Sequence, residues 1–305
     1  MNILVTGAAG FLGSALSALL KEEGHAVVGY DRRAPQFADE RFLSYVQGDL
    51  LDLPLLIETI RTYGVERIIH TAAVSHPVEA IGIPYQTVMT NAVGTTNVFE
   101  AARLTGVKRI VNLSSEYAYG HNDHLGETNE DAPLRPTGVY GATKVFTEKL
   151  AFAYMNHYGM IIPSLRPGWI YGPGQFMQCY MKTLLRNAID RTATIEPEGR
   201  DYGFQYVHVR DVARACLFAC TSETLETFVY SITNGEKTTY GELGDIVRAL
   251  YPDAFIEIGP GSLPELDRYA AIDISRAKRE LGYAPSMTLE EGVRSYAAWL
   301  EQHPY

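Results

Sequence analysis

The sequence predicts an α/β fold, a doubly wound parallel sheet followed by a smaller C-terminal lobe, and three observations carry that prediction. Short apolar runs alternate with amphipathic helical stretches through the first half. A glycine-rich turn joins the first run to the first helix, and after Arg166 the texture breaks into turns and shorter elements. A chain of 305 residues is long enough for one large domain with an appendage. The sheet domain is expected over residues 1–166, with later segments returning to it, and the interleaved smaller lobe over 167–305.

In order, residues 3–5, 26–30, 67–70, 109–113 and 161–165 read as strands, because unbroken apolar runs of this length suit a parallel sheet covered on both faces. A shorter strand fits 42–46. Between them, apolar residues recur at helical spacing over 11–22, 53–63, 84–105 and 139–158. Pro167, Gly168, Gly172, Pro173 and Gly174 then stiffen and turn the chain. Small strands fit 205–209, 228–232 and 255–258; helices fit 212–221, 241–250, 275–281 and 289–301.

Composition narrows the function. The formal net charge of −10 leaves no basic footprint, which argues against nucleic acid and against an anionic membrane surface. No run of 18 apolar residues is present to span a bilayer, and Met1-Asn2-Ile3 opens without a charged leader, so a cytoplasmic protein is expected. Cys179, Cys216 and Cys220 form no Cys-x-x-Cys pair. Cys216 and Cys220 lie one helical turn apart and read as packed apolar residues, and no metal site is expected.

The strongest local signal is Thr6-Gly7-Ala8-Ala9-Gly10-Phe11-Leu12-Gly13, between a strand and a helix. Gly7 permits the tight turn, Gly10 lets backbone approach a pyrophosphate, and Gly13 allows close helix–sheet packing. The helix that follows presents free N–H groups to the phosphates. This is the dinucleotide pattern of a Rossmann sheet. Asp31 ends the second strand 18 residues after Gly13, where a carboxylate accepts from ribose hydroxyls and repels a 2′-phosphate. NAD is therefore expected over NADP, although Arg32 and Arg33 are placed to contact a 2′-phosphate.

Tyr140-Gly141-Ala142-Thr143-Lys144 puts a phenol and an ammonium one turn apart on a helix face. A free phenol is a poor base at neutral pH, and a nearby cation stabilises its anion. Leu113-Ser114-Ser115 ends the fifth strand, at the sheet edge where ligands bind, so the Ser115 hydroxyl is placed to hold a substrate oxygen. Ser115, Tyr140 and Lys144 are the expected catalytic residues.

With these residues in place, the chain resembles the extended short-chain dehydrogenase/reductases, the group that holds sugar epimerases and dehydratases. Matching segments are Thr6–Gly13, Gly48-Asp49-Leu50, Thr71-Ala72-Ala73, Asn91-Ala92-Val93-Gly94-Thr95, Ser115 through Tyr119-Gly120, Arg166-Pro167-Gly168, and Tyr171-Gly172-Pro173-Gly174. Asp273-Ile274-Ser275 and Leu281-Gly282-Tyr283 match near the end. The resemblance implies a cofactor domain in front, a substrate-binding lobe behind, and a homodimer joined through the helices at 84–105 and 139–158. It implies phosphate contacts from Gly7, Gly10, Phe11 and Leu12, and adenosine contacts from Asp31, Arg32, Asp49 and Leu50. Thr71, Ala72, Ala73, Asn91 and Pro167 are implied to face the rest of the cofactor, together with Tyr140 and Lys144.

Three departures bear on the substrate. Members that bind nucleotide diphosphate sugars usually place an asparagine where Trp169 stands, and often an arginine where Phe204-Gln205 precedes Tyr206-Val207-His208-Val209-Arg210-Asp211. A further arginine is replaced near residues 263–269, with Arg200 or Arg268 as candidates to substitute. Fewer charge-assisted donors weaken the grip on a diphosphate, so a smaller sugar or polyhydroxy acid is expected. Glu116-Tyr117 stands where dehydratases carry Asp-Glu, which makes dehydration less favoured. Glu116 reads equally as an acid or as a structural acceptor. Ser75 and His76 follow the fourth strand, and with Trp169 complete the expected substrate contacts. The function predicted is hydride transfer at a secondary alcohol or ketone of a carbohydrate-like substrate; the alternatives are a nucleotide-sugar 4-epimerase that retains its NAD and, less favoured, a non-catalytic dinucleotide sensor.

Overall fold

The computed structural model describes residues 1–34 and 40–303. Strand β1 (Asn2–Thr6) leads through the glycine turn into helix α1 (Phe11–Glu22), and β2 (Ala26–Asp31) and β3 (Ser44–Gln47) follow. Helix α2 (Leu53–Thr62) carries the chain back across the sheet to β4 (Arg67–His70). Next come α3 (Pro77–Gly82), α4 (Pro84–Val88), a π-helical turn at Met89–Gly94, α5 (Thr95–Thr105), β5 (Arg109–Leu113) and α6 (Val139–Tyr158). All strands of the main sheet run parallel, with Val229–Ile232 and Ser164–Pro167 on one side, then β5, β4, β1, β2 and β3. This is the doubly wound Rossmann arrangement. Its order reverses between β1 and β4, which opens a crevice at their carboxyl ends.

The sheet interior is apolar on both faces, as a covered parallel sheet requires. Leu16 and Leu20 of α1 pack one face with Val212 and Cys216 of α8 (Val209–Thr221), and both buried thiols, Cys216 and Cys220, sit in that core. Leu56 of α2, Phe99 of α5 and Ala151 of α6 pack the other face. A separate core joins α7 (Tyr180–Ile189), α9 (Tyr240–Leu250) and α11 (Leu289–Gln302) through Leu184, Leu243, Val293 and Tyr296. Capping boxes start two of these helices, Thr239 with Glu242 and Thr288 with Glu291. The short helix α10 (Ser275–Leu281) returns to the main sheet through Ala277 and Leu281.

Several boundaries differ from the sequence reading. The strand expected at 161–165 begins at Ser164, because Pro163 has no N–H to give the ladder and Ile161 forms only an isolated bridge to Arg109. The helix expected over 84–105 carries the π turn, which shifts the phase of its side chains at Asn91. The strand expected at 228–232 is the outer strand of the main sheet, parallel to Ser164–Pro167. Helices α3 and α7 were not expected.

Candidate active site

A cleft of about 580 Å³ runs along the carboxyl edge of the sheet, from the glycine turn to the end of β5. That volume suits a small-molecule site. At one end Gly7 takes a left-handed φ of 73°, where a Cβ would lie 2.7 Å from the Ala72 nitrogen. A Cβ on Gly13 would lie 2.0 Å from the Gly7 carbonyl oxygen. Both glycines are therefore demanded by backbone approach, and α1 begins at Phe11 with no side chain capping its first turn. The free N–H groups of that turn stand at the cleft, lined there by Gly10, Phe11 and Leu12.

Asp31 closes this end. Its carboxylate is nearly buried and accepts from the Ala9 N–H at 3.1 Å and the Arg33 N–H at 2.9 Å. The Arg33 guanidinium pairs with this same carboxylate at 3.7 Å, donates to the Ala9 carbonyl at 3.0 Å and lies 5.1 Å above the Phe176 ring. Arg32 is exposed at the rim, and Asp49, Leu50 and the Thr71–Ala73 turn complete the wall. Asn91 corrects the sequence reading. It stands behind the wall, where Oδ1 accepts from the Val74 N–H at 2.8 Å and Nδ2 donates to the Val74 carbonyl and the Thr143 hydroxyl. Thr143 in turn donates to the Tyr140 carbonyl at 2.7 Å, so Asn91 ties the π turn to α6.

At the other end Ser115, Tyr140 and Lys144 come together, all nearly buried and all lining the cleft. Ser115 hydrogen-bonds the Tyr140 hydroxyl and accepts the Tyr117 N–H at 3.2 Å. The Lys144 ammonium donates to the Leu113 carbonyl at 2.6 Å and lies 5.6 Å from the Tyr140 ring centre. Burial holds the Tyr140 phenol up at about 12, against a downward pull from the Ser115 hydrogen bond. Burial likewise brings the Lys144 ammonium down to about 8, with Glu148 opposing. Glu116 adds to the effect of burial on the Tyr140 phenol, and among the groups that shift it the Ser115 hydrogen bond alone opposes.

Beneath this triad sits a buried ion pair. Arg166 donates to both carboxylate oxygens of Glu148, at 2.8 and 2.7 Å, and Glu148 also accepts from the Ser114 hydroxyl. The pair links the Ser164–Pro167 strand to α6, one turn beyond Lys144, and the Ser114 hydroxyl ties in the end of β5. Neither residue was singled out from sequence as a pair, and no local pattern joins positions so far apart.

The expected substrate residues all line the cleft. Ser75 reaches the Met177 sulfur, and His76 accepts the Glu79 N–H at 3.4 Å as the cap of α3. Both Glu116 carboxyl oxygens are buried without a protein partner, which removes the structural-acceptor reading, and burial pushes this carboxyl well above its usual range. The Trp169 indole nitrogen is also buried and unpartnered. Its ring packs on Phe204 at 5.1 Å and Tyr117 at 6.3 Å.

Comparison with known proteins agrees with this geometry. Residues 3–232 match the model of the NAD dependent epimerase/dehydratase family. A UDP-glucose 4-epimerase of Mycolicibacterium smegmatis is 31% identical over 310 residues, 96% of each chain. A UDP-glucose 4-epimerase of Thermotoga maritima, solved with UDP-glucose, superposes with a TM-score of 0.91 at 26% identity over 99% of both chains. One from Thermus thermophilus, solved with NAD, gives 0.89 at 25% identity over the full length of both.

Proposed function

This chain belongs to the NAD-dependent epimerase/dehydratase family, and on that premise we propose that it moves a hydride between NAD and a secondary alcohol or ketone of a sugar or sugar-derived polyhydroxy substrate. Tyr140 takes the hydroxyl proton or returns it, Ser115 steadies the oxygen, and Lys144 holds the cofactor ribose. Burial keeps the phenol protonated near neutral pH, so its proton leaves only when positive charge is close. Bound NAD supplies the hydride acceptor and, in its oxidised form, that positive ring.

The observation that carries this reading is the meeting of Ser115, Tyr140 and Lys144 at one end of a cleft whose other end is the glycine turn and Asp31. The residues fit the cofactor. The uncapped α1 terminus suits a pyrophosphate, and the Asp31 carboxylate suits ribose hydroxyls.

The named relatives favour a second reading, an epimerase that oxidises and re-reduces one carbon and keeps its NAD. Purified protein separates the two. A dehydrogenase gives NADH in proportion to substrate consumed, whereas an epimerase turns over without added cofactor. Failure of both, with NAD bound, would reject hydride chemistry.

The homodimer is proposed on the helices that flank the site. Ile81 of α3, Tyr85 and Val88 of α4, and Phe146 and Phe152 of α6 are exposed large apolar side chains. Sedimentation should show a dimer that Phe152→Glu dissociates; a monomeric wild type rejects it. A cytoplasmic setting is supported by the three unpaired cysteines, and among the described residues no helix is long and apolar enough to cross a membrane.

A further inference from the structure

Between the Gly172-Pro173-Gly174 turn and α7, a short segment comes against the cofactor half of the cleft. Gly172 and Gly174 take positive φ values of 134° and 90°, which turn the chain there. Gln175, Phe176 and Met177 follow and all line the cleft. A Cβ on Gly174 would lie 3.8 Å from the Phe11 ring, at the start of α1. Phe176 lies under the Arg33 guanidinium at 5.1 Å, and the Ser75 hydroxyl donates to the Met177 sulfur at 3.9 Å. Residues 174–177 therefore reach the first turn of α1, the Asp31 end and the loop after β4 at once.

The segment is held unequally on its two sides. On its own side the buried Gln175 amide donates to the Ile170 carbonyl at 3.3 Å and accepts the Cys179 thiol at 3.6 Å. Lys182 of α7, also buried, donates to the Phe176 carbonyl at 3.0 Å. Toward the glycine turn and β4 its contacts are weaker. A thioether is a poor acceptor, and a cation–π contact between half-exposed partners gains little, with Phe176 41% exposed and the Arg33 side chain 48%. Arg33 itself is fixed, by the Asp31 carboxylate and the Ala9 carbonyl. A firm arm thus meets a fixed post through a contact that opens easily.

Resting on the cofactor placement above, we propose that residues 174–177 form a strap across the bound dinucleotide, latched by Phe176 on Arg33, and that NAD enters and leaves only when this latch opens. A half-exposed cation–π contact favours the closed strap by about two- to fivefold. Only the open fraction exchanges nucleotide, so breaking the latch speeds entry and exit together. An ordinary contact to the cofactor would slow exit alone. Slow exchange suits a catalyst that keeps its NAD through oxidation and re-reduction of one carbon.

The test reads exchange directly. Stopped-flow fluorescence follows NADH leaving the loaded enzyme under excess NAD, and NADH entering protein stripped of nucleotide. Phe176→Leu removes the ring and keeps apolar bulk at a half-exposed position, whereas Phe176→Tyr keeps the ring. The proposal expects Phe176→Leu to raise both rates by about two- to fivefold with Kd nearly unchanged, and Phe176→Tyr to match wild type. Unchanged rates in Phe176→Leu, or faster exit with entry unaltered, would overturn the strap and leave the cofactor site standing. NADH that fails to bind wild-type protein would overturn the cofactor site and the strap together.

Discussion

Arg166→Met should be among the most damaging single changes in the sheet domain, and the structure sets its size. The guanidinium is 3% exposed and its partner carboxylate, Glu148, 4%. Two charge-assisted bonds join them, a third runs from Arg166 to the Glu130 carbonyl at 3.1 Å, and the guanidinium lies 4.7 Å above the Tyr119 ring. Burial works against the guanidinium's charge, and Glu148 more than offsets it. Removing one member of such a pair leaves a buried charge with only the Ser114 hydroxyl, at a cost of about 3–5 kcal/mol. Replacing both members by apolar residues costs far less, because neither desolvation penalty remains. Urea unfolding followed by circular dichroism should therefore rank Arg166→Met well below wild type, with the double variant Arg166→Met/Glu148→Leu recovering at least about half the loss. A single variant within about 1 kcal/mol of wild type, or a double variant no better than the single, would refute the pair as a buried buttress.

Two further predictions address the site. Asp31→Asn keeps an acceptor for only one of the Ala9 and Arg33 N–H groups and removes the charge that opposes a 2′-phosphate. Its preference for NAD over NADP should fall at least about tenfold, or 1.4 kcal/mol, by fluorescence titration, and an unchanged ratio would reject Asp31 as the selector. Lys144 keeps its proton below about 8 and loses it above, so oxidation should decline on the alkaline side of that value. Lys144→Arg, charged throughout, should lose that decline in whatever activity it retains; the same alkaline limb in this variant would assign it to another group.

Much of the cofactor end was legible because its chemistry is local. Gly7, Gly10 and Gly13 fall within one turn, and Asp31 lies one strand away, so spacing alone puts them together. Ser115, Tyr140 and Lys144 needed one tertiary fact, that strand ends share an edge, which the β–α alternation provides. What stayed hidden depends on contacts between distant segments. The Glu148–Arg166 pair, the π turn that sends Asn91 behind the wall, and Phe176 under Arg33 leave no periodic trace. Helix α7 was legible but missed: Met181, Leu184, Leu185 and Ala188 are buried at helical spacing, after a turn-rich segment that drew attention to its glycines. Its start is also unusual, since Cys179 Sγ accepts the Lys182 N–H where Ser, Thr, Asp or Asn is commoner.

The Tyr140→Phe variant tests the central claim most directly, because it removes one oxygen and keeps the ring packed against Tyr117. NAD affinity and thermal midpoint should stay close to wild type, while the rate of NADH formation or of isomerisation falls at least about a hundredfold, the scale of a lost proton-transfer group. Hydride transfer at the wild-type rate in that variant would contradict the account.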